Sequence, residues 1–439
     1  MPEIKKEIIN LINNIRENSL LLNSIIISEA FALASLMRYV LHMGLTRILS
    51  KALYGEFAVL IGIATILSVP ISSLQTVLAR EISKLDGERK YGEINYIFRK
   101  YSKMVLIAGA FATLLIALFG ILLFFAKPSC ALSNDSQCKA FNYLLNLIPV
   151  GNPLFLALIA PLFLSAFIFA VICAYYQGRE NPISLSNFQI FYYLAGIAGA
   201  LILATISFEF SLLAYSILPL LVILIYYVML RKETQKTKQI EVHFAHESMI
   251  LLFSFLLLNF FFYEDLFMVK RLLSDEAAGA YNVASMSARL IYYFALALCT
   301  VYLPYATKQK IGKELFFSSV KVMLLPLPAF LLFILFPEKI LSLFYGASYA
   351  EGAMAFRLLS AAYLLISGGY VFLTALWSQK EEKIPFLFLL AVTLANLPLL
   401  NYFIGVYGMM GAAISTLVSG FLFFLLFSSY SSFLVASKK

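Results

Sequence analysis

Apolar runs of about twenty residues follow one another along the whole chain, and they limit the fold more than any other feature. At about 1.5 Å of helix per residue, a run of that length matches a bilayer core about 30 Å thick. Twelve such spans are read, at 20–42, 55–80, 103–126, 153–176, 183–206, 210–230, 248–269, 279–306, 315–336, 353–377, 384–404 and 408–433. They are expected to be helices, because isolated strands would leave backbone groups unpaired in lipid. A membrane barrel would show short alternating segments instead, and these are absent. With 62% hydrophobic and only 13% charged residues, the 439-residue chain has too little polar surface for water; soluble domains carry about 25% charge. The fold class is all-α integral membrane.

Lys and Arg set the expected orientation, since they concentrate in cytoplasmic loops. One side collects the N-terminus, the 80–103 loop, Arg179, the 231–238 loop, Lys308 to Lys321, Lys380, Lys383 and the last two lysines. Together these hold 23 of the 33 basic residues. The other side has Arg47, Lys51, Lys127, Lys139, Lys270, Arg271 and Lys339. Both termini are expected to be cytoplasmic, with the protein a multi-pass component of the cell membrane. The net charge of +9 needs no nucleic-acid partner, because attraction to anionic inner-leaflet lipids accounts for it. Cys130 and Cys138 share the outer 127–152 loop, where an oxidising exterior would permit a disulfide.

The chain also repeats itself. RLLSDEAAGAY at 271–281 echoes RILSKALYGEF at 47–57, a shift of 224 residues, close to half the length. Arg271 falls on Arg47, Ser274 on Ser50, Gly279 on Gly55 and Tyr281 on Phe57. A weaker echo links YYQGRENP at 175–182 with WSQKEEKIP at 377–385. Six spans restore the starting orientation, so two six-helix lobes should be related by a pseudo-two-fold axis along the membrane normal. The lobes are expected at 1–240 (helices 1–6) and 241–439 (helices 7–12), with a site between them.

Several stretches resemble the oligosaccharide and polysaccharide flippases of the multidrug/oligosaccharidyl-lipid/polysaccharide exporter superfamily. They are LSKALYGEFAVL at 49–60, YQGREN at 176–181, DLFMVKRLLSDEAAGAYNVA at 265–284, LP at 303–304 and GVYGMMGAAISTLVS at 405–419. Asp265, Gly279 and Tyr281 fill the family's pattern of an Asp ending helix 7 and Gly-x-Tyr opening helix 8. The resemblance implies two lobes in a V that open alternately inward and outward, carrying a polyprenyl-phosphate- or diphosphate-linked oligosaccharide. Lipid II flippases that resemble it generally have two more spans, which disfavours a peptidoglycan precursor. EFSLLAYS at 209–216, the counterpart of GVYGMMGAA, lacks its glycines.

Ionisable groups inside spans are costly and mark candidate sites. Glu29 and Arg289 lie about ten residues into spans 1 and 8, near mid-bilayer. Asn282, Ser285, Arg289 and Tyr292 recur at helical spacing as one polar stripe, and Thr65, Ser68, Ser72 and Gln75 form a neutral stripe on helix 2. Such stripes could wall a wet cavity, although small polar residues also pack membrane helices together. A guanidinium suits a phosphate because it keeps its charge and offers paired donors. Arg289, with Arg38 as a second contact, is therefore the expected anion site; the alternative is a buried Arg289 paired with Glu29. Nine residues separate Arg38 from Glu29, which places them on opposite faces of an unkinked helix. Glu29 and Asp265 are the ion-coupling candidates, for H+ or Na+, although Asp265 and Glu264 also suit an outer-end ion pair with Lys270 or Arg271. Prolines 70, 161, 219, 326, 328 and 398 are candidate hinges.

No catalytic or metal-ligating pattern is present, and there is no phosphate-binding glycine loop. Neither an enzyme nor a cofactor is expected, and energy must come from an ion gradient, the membrane potential or consumption of cargo. A cation-coupled drug or organic-cation antiporter of the same superfamily is the alternative function. It would call for acidic rather than basic groups in the cavity.

Overall fold

A computed structural model describes residues 36–131, 149–234, 237–240, 247–308, 313–379 and 381–437. Glu29 and the side chains of Ser72, Cys130 and Cys138 lie outside the described ones. Helix α1 covers 36–48. It is followed by α2 (Lys51–Leu67), α3 (Val69–Gly87), α4 (Tyr91–Ala131), α5 (Leu154–Ile159), α6 (Pro161–Gly178), α7 (Pro182–Ala204) and α8 (Phe208–Glu233). The second half contains α9 (Glu247–Leu272), α10 (Asp275–Lys308), α11 (Lys313–Leu324), α12 (Leu327–Leu335), α13 (Pro337–Tyr345), a 3-10 turn (Ala347–Gly352), α14 (Ala353–Ser378), α15 (Lys383–Tyr407) and α16 (Met409–Ser437). Among the described residues, ten helical stretches are long and apolar enough to cross a membrane. Helix α10 covers the eighth span, and α1 the described part of the first.

Proline explains why there are more helices than spans. Its missing N–H removes a helix hydrogen bond, and its ring crowds the preceding turn. Span 2 breaks at Ser68, two residues before Pro70, and the Ser68 hydroxyl bonds back to the Ala64 carbonyl at 2.7 Å. Span 4 breaks at Ala160, before Pro161, and span 9 breaks before Leu327 and Pro328. Pro219 and Pro398 stay inside continuous helices. The candidate hinges thus narrow to three places.

The repeat has a local meaning and a global one. Ser50 caps α2 by accepting from the Leu53 amide at 3.3 Å, and its echo Ser274 caps α10 by accepting from Ala277 at 3.2 Å. Capping satisfies amides that a helix start leaves without partners. The two helix starts then meet across the molecule at Gly55 and Gly279. A Cβ on Gly55 would strike the Asp275 carbonyl and sit 2.8 Å from the Gly279 amide, and one on Gly279 would strike the Lys51 carbonyl. Two glycines therefore bring the backbones into contact, as small residues do between membrane helices.

The helices form two six-helix lobes around that contact. In the first, α7 packs on α8, and α6 packs on α3 and α4; in the second, α14 packs on α10 and α16, and α15 on α9 and α16. The lobes meet mainly where α2 crosses α10. Around this crossing the core is continuous from Tyr39 and Phe57 into Tyr281 and Phe356, while a separate core from Leu78 to Leu230 belongs to the first lobe alone. Away from the cores, α4 exposes Ile107, Phe111, Leu114, Leu118, Leu122 and Phe125, an apolar stripe that suits lipid tails.

Polar contacts seal the same end. Lys270 and Glu56, one from each lobe and both buried, pair at 2.5 Å, and Lys270 also reaches Asp275 at 2.6 Å. Glu56 accepts from the Gly151 amide at 2.8 Å. Lys51 meets Glu351 at 2.6 Å, and Arg47 donates to the Leu343 carbonyl at 2.7 Å. Deeper in, the Tyr39 hydroxyl bonds the Met286 carbonyl, and Asn282 donates to Tyr54, which also bonds His42 at 2.9 Å. This pattern corrects one expectation. Lys270 pairs with Glu56 and Asp275 rather than with Asp265 or Glu264, because Asp265 is five residues away and lies about 140° around the helix.

Candidate functional site

Arg289 lies inside the second lobe, 4% exposed. Its Nε donates to the Tyr363 hydroxyl at 2.7 Å, and a terminal nitrogen reaches both the Phe262 carbonyl and, at 3.7 Å, the Asp265 carboxylate. The Tyr263 ring covers the guanidinium at 4.6 Å. Asp265 in turn accepts from Tyr281 at 2.8 Å and from the Leu266 amide at 2.7 Å. Two predicted site residues are thus brought together, one as the other's counter-ion. The partner foreseen for a buried Arg289 was Glu29, which lies outside the described residues.

The rest of the α10 stripe is buried too. Asn282 donates to Tyr54, Ser285 lies 3.4 Å from the Tyr363 hydroxyl, and Tyr292 packs between Phe262 and Tyr370. The helical spacing was legible, but the surroundings differ from the expected wet wall: here the stripe faces α2, α9 and α14. On the α2–α3 side Thr65, Ser68 and Gln75 are half-buried, and Gln75 reaches Gln177 at 3.4 Å.

Arg38 is the contrasting case. Its side chain is exposed, and Tyr193, Tyr215, Tyr263 and Tyr293 contribute to its electrostatic surroundings. Its guanidinium sits 5.4 Å from the centre of the Tyr193 ring. Among the described residues no carboxylate comes within 4 Å of it. Tyr39, its neighbour in sequence, belongs to the sealed contact, so Arg38 stands just below the closed end. A guanidinium held at a tyrosine but without a carboxylate beside it can meet an anion.

Glu264, expected in an outer-end ion pair, instead belongs to a second polar centre. Glu264, 1% exposed, accepts from Asn396 at 2.6 Å, and the Asn396 amide oxygen accepts from Ser415 at 2.7 Å and Ser419 at 2.6 Å. The other Glu264 carboxylate oxygen and the Thr393 hydroxyl are buried without a hydrogen-bond partner among the described residues. A buried carboxylate with no cation beside it is costly when charged, so this centre is suited to taking up a proton or a small cation. The available signal was Asn396 in mid-span, together with the i, i+4 pair Ser415 and Ser419 on the next helix. Three helices had to meet before that pattern acquired meaning.

Two packed lobes of membrane-spanning helices, closed against each other at one end, define a multi-pass membrane protein. A family profile described as "Polysaccharide biosynthesis protein" matches residues 20–310, and the chain belongs to that family. Solved structures show the same fold. One titled "Lipid II flippase MurJ, inward closed conformation" is 14% identical with a TM-score of 0.63, covering 94% of this chain and 88% of that one. The MATE multidrug transporter DinF-BH is 17% identical with a TM-score of 0.64 and 94% coverage of both chains. An inward-facing MATE family transporter of the MOP superfamily is 13% identical with a TM-score of 0.63, covering 92% and 96%. A comparison with curated protein sequences finds no match.

Proposed function

We propose that this protein moves a polyprenyl-phosphate- or diphosphate-linked oligosaccharide from the cytoplasmic to the outer leaflet of the cell membrane by alternating access. The observation that carries this reading is Arg38, an exposed guanidinium without a carboxylate partner among the described residues, which on this reading lines a crevice between the lobes. An organic cation would meet repulsion there, while a phosphate would meet a fixed charge and paired donors. The loops rich in Lys and Arg are cytoplasmic, as are both termini, so the sealed end faces outward and the crevice inward. The lobes divide near residue 240. Arg289 is engaged by Asp265 in this conformation and acts as a second anion contact only when that pair parts.

Coupling to H+ or Na+ would use buried carboxylates, and Glu264 with Asn396 and the two serines joins Asp265 and Glu29 as candidates. The test is transport in vesicles reconstituted with the purified protein. Arg38→Gln is expected to lower flipping of a polyprenyl-diphosphate oligosaccharide at least tenfold, while leaving thermal stability within about 0.5 kcal/mol, as for a substitution away from packed contacts. Uptake of an organic cation that rises in Arg38→Gln, with no glycolipid flipping by the natural protein, would establish the antiporter instead.

A further inference from the structure

We infer that Tyr193, Tyr215, Tyr263 and Tyr293 form a glycan-binding box around Arg38, the guanidinium taking the phosphate end of the cargo and the four rings taking its first sugars. This rests on the flippase reading above and deepens it, because it assigns recognition of the sugar to particular side chains. The four tyrosines come from four helices, α7, α8, α9 and α10, and all are half-buried, so each combines packed support with a free edge. Arg38 sits 5.4 Å from the Tyr193 ring. Tyr215 packs on Phe57 and Tyr263 lies against Gly62, so both reach the same stretch of α2. Tyr293 shares the electrostatic surroundings of the guanidinium.

Three of the rings are also held from behind. Tyr193 packs on Phe169 at 5.9 Å between ring centres and Tyr215 on Phe57 at 5.7 Å. Tyr263 lies against Phe267 at 6.3 Å and under the Arg289 guanidinium. Backing of this kind fixes the rings before any ligand arrives, which lowers the ordering cost of binding. Tyrosine supplies broad, rigid contact area with a polar tip, and such side chains with a few polar groups make up most small-molecule sites. Among the described residues the hydroxyls of Tyr215, Tyr263 and Tyr293 have no hydrogen-bond partner. Together with Arg38 they make a site rich in donors. Flat apolar faces rimmed by donors match a sugar, whose ring presents C–H faces and whose edges carry hydroxyls.

Aromatic rings alone would also suit an organic cation. Arg38 already occupies that role at the Tyr193 face and adds a positive charge, so the box is selective against cationic drugs. Two of the rings belong to each lobe, Tyr193 and Tyr215 to the first, Tyr263 and Tyr293 to the second. The box is therefore complete only while the lobes hold their present relation. Moving them apart would separate the two halves and weaken the grip on the glycan, which gives the cycle a release step.

The test is equilibrium binding to the full-length protein in lipid nanodiscs, with two probes: a polyprenyl diphosphate, and the same carrier bearing a disaccharide. The expected result is that Tyr263→Leu or Tyr293→Leu weakens the disaccharide carrier roughly tenfold while leaving the bare carrier unchanged. Arg38→Gln should weaken both. Tyr→Phe at each of the four positions keeps the packing and covers the case in which a leucine variant fails to fold; it should weaken the disaccharide carrier roughly twofold to threefold and the bare carrier not at all. Equal losses for the two carriers, or no loss in either set of variants, would overturn the box. If the natural protein binds the diphosphate but gains nothing from the sugars, the box falls and the flippase reading stands. If it binds neither probe, both fall.

Discussion

At the scale of single residues, two arginines of similar appearance in the sequence have opposite surroundings. Arg289 is enclosed and satisfied by Asp265, Tyr363 and a backbone carbonyl, whereas Arg38 is open. Removing one member of a buried pair leaves the other charged and unsolvated, at a cost of about 3–5 kcal/mol. Arg289→Ala is therefore expected to lower the thermal stability of the purified protein sharply, and adding Asp265→Asn should recover most of the loss. A variant that unfolds at the natural temperature would refute the pairing. Glu264 offers a different test, because Gln keeps the shape and the contact with Asn396 but cannot titrate. Glu264→Gln should fold normally and transport without dependence on a proton or sodium gradient. Unchanged gradient dependence in vesicles would remove Glu264 from the coupling step. The isolated stripe on α10 showed which residues share a face, but not whether water or protein would lie against that face.

At the scale of elements, the close crossing of α2 and α10 depends on the absence of two β-carbons. The atoms that a new methyl would strike are backbone atoms, so a side chain cannot move aside to admit it. Gly279→Ala must push the helices apart, and overpacking of this kind costs about 1–3 kcal/mol. A penalty of that size, borne by the sealed conformer alone, shifts the conformer ratio by about tenfold. A cysteine introduced by Asn282→Cys should then react faster with an impermeant thiol reagent added outside, compared with the same cysteine beside an intact Gly279. Equal rates would mean that the crossing does not hold the seal. Gly62, by contrast, meets only the side chains of Tyr263 and Phe267 nearby, so Ala there should be milder.

At the scale of the whole molecule, the buried Lys270–Glu56 pair joins the lobes at the sealed end. Lys270→Met leaves Glu56 charged beside apolar surface, and Glu56→Gln leaves Lys270 supported by Asp275 alone. Either change should destabilise sealing and favour opening at that end, while the double variant, which leaves no buried charge uncompensated because Asp275 is half-exposed, should restore much of the closure. Spin labels at the exposed positions Ile48 and Leu343, one on each lobe, would report the change as a longer distance in the single variants. No lengthening would show that the glycine crossing seals the end without the ion pair.

The amino-acid sequence by itself determined the features that depend on neighbours within a few turns. Apolar length defined the spans, while the six prolines within them offered candidate hinges without showing which of them break a helix. The echo of Gly55 in Gly279 also announced two lobes, because duplication is visible without coordinates. Tertiary structure alone decided which polar groups are dry and which are wet. Glu56 gave no sign of its partner, since Lys270 lies 214 residues away and at the edge of a span a carboxylate reads as interfacial. Glu264 became a centre only when α15 and α16 brought Asn396, Ser415 and Ser419 to it. Periodicity fixes direction around one helix axis, but the medium in that direction is supplied by other helices, and their arrival is a property of the packed whole.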